Sequence, residues 1–173
     1  IGGTIMDVKK LTQCALLAAL TFVVTRFIQV PIPLGYFNIG NCIILLGCVL
    51  IPSPYGVIAG SLGSALADLT SFPVYTLPTL VIKALMPIVF YFFLKKGKEH
   101  KYAWGLAGEI VSTLIPLVGY TLVGGFLYGG LVAGLAQVPG LLLEYAANAV
   151  IFAVFLKPIL AASKAINREY ANE

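Results

Sequence analysis

Charge is what this chain has least of. Asp, Glu, Lys and Arg make up 10% of its 173 residues, against 60% apolar side chains and a mean hydropathy of +0.97. A water-soluble domain carries about a quarter charged residues. So little charge cannot cover a water-facing surface, which excludes a soluble enzyme, a nucleic-acid binder and a disordered chain, and leaves the membrane. Histidine is nearly absent as well: His100 stands alone in a basic connection, which argues against histidine-based metal centres and His-dependent triads. The cysteines, Cys14, Cys42 and Cys48, lie in apolar stretches without C-x-x-C spacing, as buried free thiols do. The G-x-x-x-x-G-K-[ST] phosphate loop is missing, so the chain does not bind ATP in the Walker manner. The opening Ile1-Gly2-Gly3-Thr4 is too short and uncharged for a signal peptide. No cofactor, metal or nucleic-acid partner is expected.

What is present is a series of apolar runs between breakers. They cover about 11–30, 37–51, 55–69, 79–94, 102–127 and 138–160. Pro31-Ile32-Pro33, Pro52-Ser53-Pro54 and the turn-rich stretch Thr70 to Pro78 separate the first four. None alternates as a membrane barrel strand would. A span needs about 20 apolar residues, so the second to fourth runs are short unless loops fold back into the bundle. The expected fold is all-α: a single domain over residues 1–173, a bundle of six transmembrane helices.

Basic residues set the orientation. Lys9 and Lys10 precede the first run, Lys95, Lys96, Lys98 and Lys101 fill the fourth connection, and Lys157, Lys164 and Arg168 close the sixth. The other connections contain no basic residue. Six spans with both termini cytoplasmic put all three clusters inside, whereas an odd number would strand one outside.

Five ionisable residues remain within the runs: Arg26, Asp68, Lys83, Glu109 and Glu144. Each costs about 2.5–3.5 kcal/mol at a bilayer centre, so such groups face a cavity or a partner rather than lipid. In this orientation all but Glu109 fall in the outer half, with Asn38, Asn41 and Asn148. Asp68 and Lys83 either pair as a structural bridge or line a pocket. Arg26 either snorkels to the headgroups or meets a ligand. Glu144 and Asn148, four apart, share one helix face. Glu109 is expected at the inner interface or against a partner. The outer connections add Tyr36, Phe37, Phe72 and Tyr75, aromatic faces for a flat ring or an interfacial belt, and Tyr120 joins them from the fifth run. In the first run Ala15 and Ala19 make a small-x-x-x-small pair that admits a close helix.

Several stretches together resemble the substrate-binding S component of energy-coupling factor (ECF) vitamin transporters. They are Ala15-Leu-Leu-Ala-Ala-Leu-Thr21, Pro31-Ile-Pro-Leu-Gly-Tyr-Phe-Asn-Ile-Gly-Asn41, Gly56 to Leu69, and Tyr75-Thr-Leu-Pro-Thr-Leu-Val-Ile-Lys83. The resemblance runs the whole length and is most specific from Gly35 to Lys83. It implies a binding subunit of the prokaryotic plasma membrane that is no enzyme. Its cargo would sit in an outward pocket formed by helices four to six and loops one, three and five. It further implies that Ala15 and Ala19 pack on a transmembrane coupling subunit (the T component), and that two cytosolic ATPases supply energy while the S component topples to release its cargo. The pattern looks most like the hydroxymethylpyrimidine or pyridoxine-type subgroup, with riboflavin-type members as near relatives. Candidate substrate-binding residues are then Tyr36, Asn38, Asn41, Asp68, Tyr75, Lys83, Tyr120, Glu144 and Asn148. Two other classes stay open: a structural subunit using only the small-residue face, and an intramembrane enzyme pairing Asp68 with Glu144.

Overall fold

A computed structural model of the chain describes residues 8–32, 34–97 and 100–171, with side chains to residue 165. The opening tetrapeptide, Lys98 and the side chain of Arg168 therefore lie outside the described residues. Among the described residues eight α-helices and one hairpin follow in order: α1 (Val8–Phe27), β1 (Gln29–Ile32), β2 (Gly35–Asn38), α2 (Gly40–Leu50) and α3 (Tyr55–Ser71). A 3-10 turn (Pro73–Tyr75) leads into α4 (Thr76–Lys96), then α5 (Lys101–Ser112), α6 (Leu114–Leu127), α7 (Leu131–Ala136) and α8 (Val138–Ala171).

Among the described residues four stretches are long and apolar enough to cross a membrane: Val8–Phe27, Pro73–Lys96, Lys101–Leu127 and Val138–Ala165. The helical membrane fold is as expected, but its details depart from the sequence reading in three places. The first run does not continue to residue 30. Pro31 fits no helix interior, and the chain after Phe27 turns into an antiparallel hairpin pairing Gln29 with Asn38 and Val30 with Phe37. Leu34, at φ +62°, makes its turn. The second run consequently begins as strand, and its helix, α2, is only 11 residues long. The fifth run is broken at Thr113. Pro116 cannot donate to the Ser112 carbonyl, so α5 ends and α6 restarts with proline in its first turn, where the missing N–H is harmless.

Short α2 is the centre of the bundle. Cys42, Ile44 and Leu45 are fully buried against Met86 and Phe90 of α4 and Phe152 and Leu156 of α8. Helix α1 docks on α3 through Gly63, where a Cβ would stand 2.5 Å from the Ala18 carbonyl oxygen and 2.9 Å from the Thr21 Cβ. Only glycine permits that approach. With Cys14, Leu17 and Thr21 turned inwards, Ala15, Leu16, Ala19 and Leu20 form the exposed face of α1. All three cysteines are free and buried.

Candidate functional site

Three connections converge over one end of the bundle. Tyr36 comes from the hairpin, Phe72 and Tyr75 from the α3–α4 connection, and Gln137 from the α7–α8 junction. Beneath them lies a partly open chamber. Its walls include Asn38, Asp68, Thr79, Lys83, Tyr120 and Glu144, with Ile32, Leu34 and Leu141 as apolar lining. Binding pockets for small molecules have this kind of lining, apolar with a few convergent polar groups.

Two bonds close the hairpin onto α3. The Tyr36 hydroxyl donates to Asp68 Oδ1, and Gln29 Nε2 donates to Ser71 Oγ at 3.2 Å. Burial and the adjacent Asp68 carboxylate push the Tyr36 phenol above its ordinary range, which keeps its proton in place as a donor. The Tyr36 ring leans on Phe72 at 5.6 Å. The other Asp68 oxygen accepts from Thr79, whose hydroxyl lies 3.0 Å from that of Tyr120. Tyr75 meets the Tyr120 ring edge-on at 6.0 Å, while its hydroxyl points to Gln137 Oε1 at 3.5 Å.

Lys83 is fully interior, one turn along α4 beyond Thr79. It does not close a bridge to Asp68. Its ammonium donates to Asn41 Oδ1 and sits 5.6 Å from the Tyr120 ring centroid. Asn41 Nδ2 in turn donates to Glu144 Oε1 at 2.9 Å, so one amide joins α4, α2 and α8. This amide lines a second, smaller cavity beside the chamber, bounded also by Thr113, Tyr120, Glu144 and Tyr145.

Seven of the nine candidate residues line the chamber: Tyr36, Asn38, Asp68, Tyr75, Lys83, Tyr120 and Glu144. Asn41 and Asn148 do not. Asn148 spends its amide on the backbone, accepting from Cys42 N at 2.8 Å and donating to Asn38 O at 2.9 Å and Glu144 O at 2.8 Å. With Asn38 Oδ1, which accepts from Gly40 N at 2.7 Å, it thereby caps the N-terminus of α2, whose N-cap residue Ile39 makes no such bond. Arg26 is half-buried with its guanidinium 5.7 Å from the Phe27 ring, outside the chamber lining. Glu109, expected at the inner interface or against a partner, is corrected: at 2% exposed it faces the bundle interior and neither headgroups nor a partner surface. Thr79 and Gln137 escaped the sequence reading. An isolated threonine in an apolar run and a glutamine in a glycine-rich connection carry no signal until α4 and α7 are placed.

This arrangement defines a class: a multi-span helical membrane protein with a small-molecule chamber beneath converging loops. Residues 5–162 match the family described as ECF-type riboflavin transporter, S component. A solved S component of a bacterial ECF transporter has the same fold, with a TM-score of 0.71, 20% identity and coverage of 89% of this chain and 96% of that chain. An uncharacterized protein of Pyrococcus woesei, in a gap 3' region, is 38% identical over 109 residues, 62% of this chain and 72% of that one. The chain belongs to the S-component family of ECF transporters. It is a multi-pass protein of the prokaryotic plasma membrane and a substrate-binding transport subunit, not an enzyme. Members of the family bind a small vitamin and work with a T component and ATPases.

Proposed function

We propose that the chain captures a small heterocyclic vitamin or precursor in the chamber and delivers it for import, with hydroxymethylpyrimidine or a pyridoxine-type compound as cargo. The observation that carries this reading is the pairing of donor and acceptor on one wall. Lys83 and Glu144, bridged by Asn41, face a space flanked by the rings of Tyr36, Tyr75 and Tyr120. Such a wall suits a flat ring with nitrogen and amino or hydroxyl substituents. Asn38, Asp68 and Glu144 then contact cargo, while Asn41 and Asn148 hold those groups in place.

A second reading, riboflavin, is favoured by the description of the matching family. Titration of purified protein with hydroxymethylpyrimidine, pyridoxine and riboflavin separates the two. Submicromolar binding of either of the first two supports the reading, and riboflavin alone binding tightly replaces it. Mass spectrometry of whatever co-purifies gives an independent answer.

The whole chain acts as one domain, with six spanning units: α1, α2, α3, α4, the broken α5–α6 pair and α8. The basic residues support both termini lying in the cytoplasm, which turns the chamber outwards. The exposed Ala15 and Ala19 face of α1 is then the surface for the T component, through which two ATPases drive release.

A further inference from the structure

The interior of the bundle is unbalanced in charge. Among the described residues, three carboxylates are buried, Asp68, Glu109 and Glu144, each at most 5% exposed, against one ammonium, Lys83. Two of the three acids, Asp68 and Glu144, stand on the chamber wall with Lys83, leaving that wall one formal negative charge in excess. Arg26 is the next cation, but it sits outside the lining.

The two wall acids are not equivalent. Both oxygens of Asp68 are held by neutral hydroxyls, those of Tyr36 and Thr79. Glu144 receives the Asn41 amide on Oε1 and a backbone hydrogen bond from Asn38, donors that are likewise neutral. The single ammonium lies between them, committed to Asn41 and the face of Tyr120. A buried carboxylate in excess of its cations is costly in a membrane unless something positive joins it.

We propose, resting on the reading of this chamber as the cargo site, that the ligand is bound as a monocation, a protonated aminopyrimidine- or pyridine-type ring whose charge pairs with Glu144. An amidine edge offers two parallel N–H donors that fit a carboxylate, and the positive ring is welcomed by the surrounding tyrosine faces. The proton is taken up from water with the ligand, and the bound state is a ring N–H⁺ against the Glu144 carboxylate. A neutral lactam of the same outline leaves the excess charge in place.

The test uses the full chain in nanodiscs and two ligands of one shape, 4-amino-5-hydroxymethyl-2-methylpyrimidine and its 4-hydroxy (lactam) analogue. The expected result is about 100-fold tighter binding of the amino compound, the loss typical of removing one member of a buried charged pair. With ring-¹⁵N-labelled amino compound, the bound nitrogen is expected at the upfield, protonated position. Glu144→Gln is expected to remove the preference for the amino compound over the lactam. Both wild-type measurements stand should that variant fail to fold. Equal or tighter binding of the lactam, or an unprotonated bound nitrogen, overturns the inference. Tight binding of riboflavin alone overturns it too but leaves a vitamin-binding chamber. If no ring compound binds more tightly than micromolar, the chamber reading itself falls, and the charge inference with it.

Discussion

Asn41 and Glu144, 103 residues apart in sequence, meet at 2.9 Å through an amide nitrogen and a carboxylate oxygen in the middle of the bundle. The opposite end of the same amide takes the Lys83 ammonium. An asparagine is the one residue of this size that can offer a donor to the acid and an acceptor to the base together. It keeps the two charges apart, and thus both available to the chamber.

Asn41→Ala is therefore expected to weaken cargo binding more than an alanine at most wall positions. Losing one amide leaves an ammonium and a carboxylate short of a partner each, a cost of about 2–5 kcal/mol for a buried pair. Ligand titration should show a drop of at least about 30-fold, since each 1.4 kcal/mol is tenfold. Asn41→Asp, which accepts from Lys83 but cannot donate to Glu144, should bind no better. A fall below threefold in both variants would show that the bridge is incidental.

Asn148→Ala should act on the scaffold first. Its amide makes three buried bonds to the backbone around the hairpin and α2. A net bond is worth about 0.5–1.5 kcal/mol, and backbone groups left bare cost about 1–3 kcal/mol each. A loss of about 3 kcal/mol in unfolding free energy follows, read as a lower Tm in detergent. Any loss of affinity should largely recover in a stabilised background, whereas that of Asn41→Ala should not.

The path from residues to site explains what sequence alone could deliver. Asp68, Lys83 and Glu144 announced themselves because a charge within an apolar run demands a reason. Tyr36 and Tyr75 did so by crowding into proline-rich connections. The hairpin was hidden, because Gly35-Tyr-Phe-Asn38 is as apolar as the helix it precedes, and four-residue strands leave little periodicity. Glu109 is buried by the way α5 packs on α4 and α8, which a lone acid in an apolar run does not encode. The orientation of Lys83 towards Asn41 rather than Asp68 is a matter of where α2 crosses α4, which no local pattern encodes.

The exposed face of α1 yields a prediction that separates capture from transport. Ala15 and Ala19 point away from the bundle, and Gly63 packs on the opposite side, against Ala18 and Thr21. Replacing both alanines by leucine adds bulk only where a partner helix would approach. Vitamin binding by the isolated subunit should stay within twofold of wild type. Co-purification with a T component and uptake in cells should both fall at least about tenfold, the effect of losing roughly 1.4 kcal/mol or more of packing at the contact. Gly63→Val, by contrast, should lower Tm without that selectivity. Normal assembly of the double leucine variant would move the docking surface elsewhere.

Glu109 offers the reverse kind of variant, one that should stabilise. It is buried beside Ser112 and Thr113, and its Oε1 atom has no hydrogen-bond partner among the described residues. The Thr113 hydroxyl and amide bond to its backbone carbonyl at 2.6 and 3.0 Å, so the helix break does not depend on its carboxylate. Replacing a buried, poorly compensated charge by an apolar side chain of similar size is often stabilising by about 1–4 kcal/mol. Glu109→Met is expected to raise Tm by roughly 2–4 °C for each kcal/mol gained in a chain of this size. Glu109 is absent from the chamber walls, so cargo affinity should not change. A lower Tm in the isolated subunit would mean that the carboxylate has a stabilising role which its unpartnered oxygen does not reveal. Unchanged stability with lost uptake would instead assign Glu109 to the transport cycle.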